Sequence, residues 1–103
     1  MKTRIDLQTM LENIVESRRV YFQPPENLVI KYPCVVYSIR NVKNVYADDD
    51  IYKQDFYYEL IVIDSDPDSE IFKKLCKIKE CKFRNFYISD NLNHFVFDIY
   101  GYY

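Results

Sequence analysis

The stretch "IYKQDFYYELIVID", residues 51–64, decides the fold because it indicates one unusually long strand. Its tyrosines, phenylalanine, isoleucines and valine are residue types that favour strands. Fourteen residues exceed the usual strand length of about five or six. We therefore predict that this strand either extends beyond the body of the domain as an arm or bends.

The chain before this strand predicts a helix followed by two strands. The helix, "TRIDLQTMLENIVES" (3–17), begins with Thr3 and Asp6 in the spacing of a capping box. Its apolar residues recur at helical spacing: Leu7, Met10, Leu11, Ile14 and Val15. "VYF" (20–22) predicts a short strand and "YPCVVYSIRNV" (32–42) a buried one, whereas "NVKNVYADDD" (41–50) predicts a loop or hairpin tip.

The chain after the long strand predicts a second helix and two further strands. "DPDSEIFKKLCKI" (66–78) offers Asp66 as the N-cap, Pro67 as the first helical residue, and Asp68 near the positive helix end. Its inward stripe would be Ile71, Leu75 and Ile78. "KFRNFYIS" (82–89) and "HFVFDIYGYY" (94–103) then predict strands joined by the turn "DNLN".

These elements together predict one α+β domain over residues 1–103, in the order α-β-β-β-α-β-β. Short turns between consecutive strands imply a mainly antiparallel sheet of four to five strands, with two helices on one face.

Composition narrows the functional classes. The single glycine, Gly101, excludes the glycine-rich loops that bind nucleotide phosphates. No apolar run is long enough to cross a bilayer, and the N-terminus does not resemble a signal peptide, so we expect a soluble intracellular protein without direct membrane contact. The three cysteines are expected to be reduced.

Charge is segregated along the chain although the net charge is only −2. Residues 46–70 hold nine acidic side chains, whereas residues 73–84 hold six basic side chains and one acid. Opposite stripes suit subunits that pack side by side, the acidic edge of one against the basic edge of the next. Two ordinary solvated faces would give the same pattern.

Several patterns resemble chemical sites without completing them. "DSDPDSE" spaces Asp64, Asp66 and Asp68 as a calcium loop does, but Ser69 replaces the required glycine and Leu75 the final glutamate. Helix capping explains these aspartates instead. The zinc candidates, Cys76, Cys81 and His94 with Cys34, lack the spacing of a structural site, and buried thiols explain the cysteines better.

Two catalytic interpretations are equally weak. Asp68 with Glu80 and Lys82 resembles the PD…ExK pattern of magnesium-dependent nucleases, in which carboxylates hold the metal and a lysine activates water. His94, the only histidine, has no nucleophile visible beside it in sequence, and a turn or surface role explains it better. The residues therefore indicate no catalytic, cofactor or metal site.

Eleven tyrosines and seven phenylalanines suit both a packed core and a protein interface. The closing "YGYY" predicts exposed tyrosines that anchor a partner. The candidate contacts with other subunits or partners are Tyr46, Asp48, Asp49, Asp50, Tyr52, Lys53, Lys73, Lys77, Tyr100, Tyr102 and Tyr103.

Three segments, "YPCVVYSI", "YADDDIYKQDFYYELIVIDSDPDSEI" and "FYISDNLNHFVFDIYGYY", resemble the small tail-completion proteins of tailed bacteriophages and prophages. The resemblance covers roughly residues 20–103. The residues that match the pattern of that group are Pro33, Tyr46, Ala47, Asp48, Asp66, Pro67, Asp68, Asn91, Leu92 and His94.

The resemblance implies a tail terminator, a virion protein without catalytic residues or cofactor that is assembled in the host bacterial cytoplasm. Such proteins form a homo-oligomeric ring, usually a hexamer, in the neck at the head-proximal end of the tail tube. The ring ends tube polymerisation and offers a docking surface to the head connector, and DNA passes through it only as cargo. This chain is shorter than the larger terminators, which leaves head closure or head–tail adaptation open. A small nuclease and a monomeric module that binds a host protein also stay open as functions.

Overall fold

A computed structural model describes residues 3–25 and 30–102. Within these residues the chain forms two helices and five strands in the predicted order. Their bounds are α1 Arg4–Val15, β1 Val20–Phe22, β2 Cys34–Ala47, β3 Asp50–Asp64, α2 Glu70–Leu75, β4 Cys81–Ser89 and β5 Leu92–Tyr100.

The five strands form one sheet in the order β1-β2-β3-β5-β4. Strand β1 is parallel to β2, and all other neighbouring pairs are antiparallel. The parallel pair follows from the long connection between Phe22 and Cys34, which lets the chain return to the same end of the sheet. The predicted α+β class and mainly antiparallel sheet are confirmed.

Both helices contribute to one core on the same face of the sheet. Leu7 and Leu11 of α1 and Ile71 and Leu75 of α2 are buried there, and burying each such side chain contributes about 1.5–3 kcal/mol. The sheet supplies alternate residues from its central strands: Val35, Tyr37, Tyr58, Leu60, Val62, Phe95, Phe97 and Ile99. The predicted apolar stripe of α1 is therefore confirmed, whereas Ile78 of the second predicted stripe packs against the core from beyond the end of α2 at Leu75.

Polar contacts fix the position of α1 on this core. The Tyr37 hydroxyl is buried, donates a hydrogen bond to Gln8 Oε1 and accepts one from Arg4 Nη1 at 3.1 Å. Gln8 Nε2 also donates to the carbonyl of Val20 at 3.1 Å. At the start of the helix, the predicted capping box is present: the Thr3 amide donates to Asp6 Oδ2 at 2.8 Å, and Thr3 Oγ1 accepts from the Asp6 amide.

The predicted start of α2 is wrong, because the helix begins at Glu70 with Ser69 as its N-cap. Asp64 Oδ1 accepts from the Asp66 amide at 3.0 Å, and Asp66 Oδ1 accepts from the Asp68 amide at 2.9 Å. These two successive turns occupy the aspartate side chains with the backbone two residues ahead of each. Asp66 is therefore unavailable as a cap, and Asp68 lies in the loop instead of the first helical turn.

The loop predicted over residues 41–50 is mostly strand. Strand β2 continues to Ala47, and only Asp48 and Asp49 form the turn into β3. Both turn residues have positive φ, 53° and 66°, as a two-residue type I′ hairpin turn requires. Because Asp tolerates this backbone conformation better than most residues, the hairpin closes without glycine.

Replacing Ser69 by Ala is expected to lower the free energy of unfolding by about 1 kcal/mol, because a buried N-cap hydroxyl is lost. The control Asp68→Ala changes an exposed loop residue and is expected to alter stability by less than about 0.5 kcal/mol. Urea unfolding followed by circular dichroism measures both. A larger loss in Asp66→Ala than in Ser69→Ala would show that Asp66 is the functional cap.

Candidate functional site

The most conspicuous feature of the surface is a hairpin that projects beyond the sheet. The pairing of β3 with β5 ends at Tyr57 and Tyr100, and the pairing of β2 with β1 ends at Tyr37 and Phe22. Within the described residues, 41–47 and 50–56 therefore pair only with each other. We call this hairpin, residues 41–56, the arm. At about 3.3 Å per residue it is about 23 Å long, and the predicted extension of β3 as an arm is confirmed.

One side of the arm carries exposed apolar side chains, with the polar side chains of Asn44 and Gln54 between them. Ile39 at the base, Val42, Tyr46 and Ile51 lie on the side that continues the helix-bearing face of the sheet, and each is 41–62% exposed. Simple alternation along the strands would not place them together. The register shifts between Ile39 and Asn41 and beside Val45 each change the alternation by one residue, so that these four side chains share one side while Val45 lies on the other.

The opposite side and the tip of the arm are polar. Lys43 Nζ lies 5.3 Å from the centre of the Tyr57 ring, and Lys53 Nζ lies 3.5 Å from Asp55 Oδ1. Three consecutive acids occupy the tip and are exposed: Asp48, Asp49 and Asp50. The predicted contact residues from 46 to 53 therefore all lie on the arm, although the side chain of Tyr52 lies outside the described part of the structure.

A second exposed apolar surface lies on edge strand β4. The short helix α2 covers only its beginning, where the Phe72 ring meets the Phe83 ring edge-on at a centroid distance of 5.5 Å. Beyond that contact, Phe83, Phe86 and Ile88 are 48%, 43% and 65% exposed on the same face. We call these three residues the β4 patch.

The β4 patch was not predicted from the sequence. "KFRNFYIS" indicates a strand, but nothing in it indicates that the strand is at the edge of the sheet. The register shift between Phe83 and Asn85 also conceals the pattern, because it places Phe83 and Phe86 on one face at a spacing of three.

Two lysines of the basic segment 73–84 lie on or just after α2, the helix whose Phe72 contacts the β4 patch. Lys73 follows Phe72 directly and pairs with Glu70 over 4.0 Å, one turn away on the same helix. Lys77 lies just beyond the helix and is exposed. The two predicted contact lysines thus lie on or just after the helix whose Phe72 ring contacts Phe83.

The face of the sheet opposite the helices carries a chain of ion pairs. Arg84 pairs with Glu59, its Nε lies 3.3 Å from Asp98 Oδ1, and Arg40 Nη1 lies 3.5 Å from Asp98 Oδ2. The four side chains come from β2, β3, β4 and β5, so the network crosses four strands. Each pair is partly solvated and contributes little by itself, but together the pairs link side chains from all four long strands.

A concavity of about 320 Å³ lies beside this network at the base of the arm. It is lined by Arg40, Tyr57, Lys82, Asp98, Ile99 and Tyr100. Arg40 is already paired with Asp98, whereas Lys82 makes no ion pair among the described residues. The concavity therefore has a small excess of positive charge, and two tyrosines contribute to its lining.

The closing tyrosines differ in exposure. Tyr100 is 38% exposed beside Tyr57, whereas Tyr102 is only 6% exposed and belongs to the core. The prediction that Tyr102 is an exposed anchor is wrong, because Gly101 with φ +94° turns the chain so that the next residue packs inward. Tyr103 lies outside the described residues.

The nuclease candidates Asp68 and Lys82 lie apart, and so do the zinc candidates Cys34 and Cys81. Lys82 pairs with Asp98 of β5. Asp64, which lies four residues before Asp68 in the chain, pairs with Asn93 of the same strand. Asn93 and Asp98 are five residues apart along β5, which corresponds to a separation of about 17 Å. His94 shares its end of the sheet with the β4–β5 turn, where Nδ1 meets the Leu92 carbonyl at 3.0 Å. The described part of the chain contains no group of three or more His, Cys, Asp or Glu side chains placed to share a metal ion.

The cysteines are free thiols in two different environments. Cys34 and Cys81 are buried, and burial raises the pKa of each thiol to about 12. A thiol with so high a pKa is almost never the reactive thiolate near neutral pH. Cys76 is exposed, so the prediction of buried thiols is confirmed for two cysteines and wrong for the third, which lies just beyond the short helix α2.

Neither a scan against protein-family models nor a search of curated proteins found a match for the chain. Within residues 3–25 and 30–102, no helix has the length and apolar character needed to cross a bilayer.

The thiol environments predict one fast-reacting cysteine in the native protein. At pH 8, Cys76 is expected to react with Ellman's reagent within minutes, while Cys34 and Cys81 stay protected because they are buried and their raised pKa keeps them protonated. Denaturant should release all three thiols. The Cys76→Ser variant is the control and should show no fast reaction; fast labelling of two or three native thiols would contradict these environments.

Proposed function

We propose that this protein is a structural subunit of the neck of a tailed bacteriophage, with the role of a tail terminator. In this role, copies form a ring on the head-proximal end of the tail tube, stop its polymerisation and offer a surface to the head connector. The subunit then belongs to the virion and carries no catalytic function of its own.

The observation that supports an assembly role most strongly is the arm. It exposes Val42, Tyr46 and Ile51 on one side of a hairpin that has no sheet neighbour among the described residues. Exposed apolar patches typically mark surfaces that contact another protein. An arm of this length also reaches well beyond the body of its own subunit.

The specific role in the neck rests on the sequence resemblance. Of the matching residues, Tyr46, Ala47 and Asp48 lie at the tip of the arm, and Asn91 and Leu92 lie at the β4–β5 turn. Asp66, Pro67 and Asp68 form the loop before α2. The resemblance therefore concentrates on turns and loops, which in assembly proteins often carry the contacts with neighbours.

The distribution of charge supports contacts between unlike surfaces of neighbouring copies. The acidic tip of the arm and the lysines beside α2 lie on different parts of the subunit. Attraction between them favours a head-to-tail contact, which closes into a ring when the rotation between copies allows it.

The direct experiment combines the purified protein with polymerising tail tube protein from the same genome. We expect the tubes to become shorter, with this protein bound at one end, as measured by electron microscopy and by co-sedimentation. Tubes of unchanged length and no bound protein would contradict the tail-terminator role. Binding to the head connector without binding to tubes would instead indicate a head-closure or adaptor protein.

Solution mass measured by light scattering across a concentration series gives an independent test of self-association. We expect species larger than a monomer at high protein concentration or on addition of tubes. The control is a variant with Val42 and Tyr46 both replaced by Ser, which removes apolar area from the arm and leaves the core intact. A strict monomer under all these conditions would favour a monomeric binding module.

A further inference from the structure

The two exposed apolar surfaces have matching dimensions. From Val42 to Tyr46 the arm extends over four residues, and from Phe83 to Ile88 the β4 patch extends over five, which correspond to about 13 Å and 17 Å. Both surfaces lie on strands and carry side chains of similar size.

The charges near the two surfaces favour one orientation of the arm on the β4 patch. The arm ends in Asp48, Asp49 and Asp50, and the Phe83 end of the patch contacts α2, which carries Lys73 and is followed by Lys77. Attraction is greatest when the tip of the arm lies on the α2 side of the patch. In that orientation Tyr46 and Ile51 meet Phe83, and Val42 lies towards Ile88.

We propose that the arm of one copy packs its apolar side, Val42, Tyr46 and Ile51, against the β4 patch of a second copy, Phe83, Phe86 and Ile88. The occupant of the patch is thus another molecule of the same chain, and the contact joins two different surfaces. This inference rests on the proposed function, for which it supplies the joint between adjacent subunits.

The area of the contact determines how stable a single joint between two copies is. An arm about 23 Å long and two strands wide covers less than the roughly 800 Å² per partner that stable complexes bury. An isolated pair of copies is therefore weak. In a closed ring each copy makes the contact twice, once through its arm and once through its patch, so that closure stabilises every joint.

Cysteine cross-linking tests the joint directly. The exposed Cys76 is first replaced by Ser, and Val42→Cys and Ile88→Cys are then introduced in separate proteins. Mixing the two at high concentration under oxidation with copper phenanthroline is expected to give a 42–88 disulfide between copies, which peptide mass spectrometry identifies. A protein that carries both substitutions should give a ladder of larger species, because each copy then links through both surfaces.

Val45→Cys is the matched control for Val42→Cys. Val45 is 46% exposed and Val42 41%, but Val45 lies on the polar side of the arm. Cross-linking of 45 to 88 should be at least tenfold weaker than that of 42 to 88. Equal yields, or 42–42 disulfides in place of 42–88 disulfides, would overturn the proposal, the second outcome by indicating contact between two arms.

Reversing one charge at the tip of the arm and one charge near α2 gives a second test that does not depend on the apolar side chains. Asp49→Lys in the Val42→Cys protein is expected to reduce the 42–88 yield several-fold, and Lys77→Asp in the Ile88→Cys protein should restore it. Failure of this rescue would overturn the assigned direction of the arm.

The experiments can contradict the joint between arm and patch and the neck role independently of each other. Rings in electron micrographs without any 42–88 disulfide would overturn this joint and leave the neck role standing. A specific 42–88 disulfide in a protein that leaves tail tubes uncapped would support the joint and contradict the neck role.

Discussion

The structure depends on one constraint: β3 is longer than the sheet around it. Its residues 57–64 are held between β2 and β5, and residues 50–56 continue with β2 alone. An isolated two-stranded hairpin is only marginally stable in water. This one is anchored because Tyr58, Leu60 and Val62 of the same strand are buried in the core. The sheet thereby holds an arm that needs no core of its own.

The two faces of the sheet are stabilised by different means. One face packs against both helices, and its apolar burial provides most of the stability. The other face has no helix among the described residues. The ion pairs from Glu59 to Arg40 link its four long strands and keep this face hydrated. Association through that face would require these charges to lose water, which is costly. The exposed apolar side chains of the arm and of the β4 patch carry no charge of their own, and they lie on the helix-bearing face.

Much of the fold follows from local sequence patterns. The capping box of Thr3, the stripe of Leu7 and Leu11, and the length of β3 were predictable because each depends on residues close together in the chain. The acidic tip was also recognisable, since three consecutive aspartates favour an exposed turn. The start of α2 was mispredicted because two suitable caps, Asp66 and Ser69, lie three residues apart, and turns in the preceding loop occupy the first.

The candidate contact surfaces were only partly predictable, because they depend on the order of strands in space. A sequence does not show that β4 is an edge strand or that α2 ends before it covers Phe86. Bulges also hide the side of the arm that continues the helix-bearing face, since Ile39 and Val42 are three residues apart in the chain and yet share one side. Tyr102 was misplaced for a related reason: the turn at Gly101 reverses the exposure that a terminal position suggests.

The central claim is that the arm serves assembly and is dispensable for folding. The most direct test is a variant in which residues 43–55 are replaced by an Asn-Gly turn, a pair suited to a two-residue hairpin. Its oligomeric mass and its tube binding are measured beside a thermal melt. The account predicts an unfolding temperature within a few degrees of the parent protein, together with loss of self-association and of tube capping. A shortened protein that still assembles, or one that no longer folds, would contradict it.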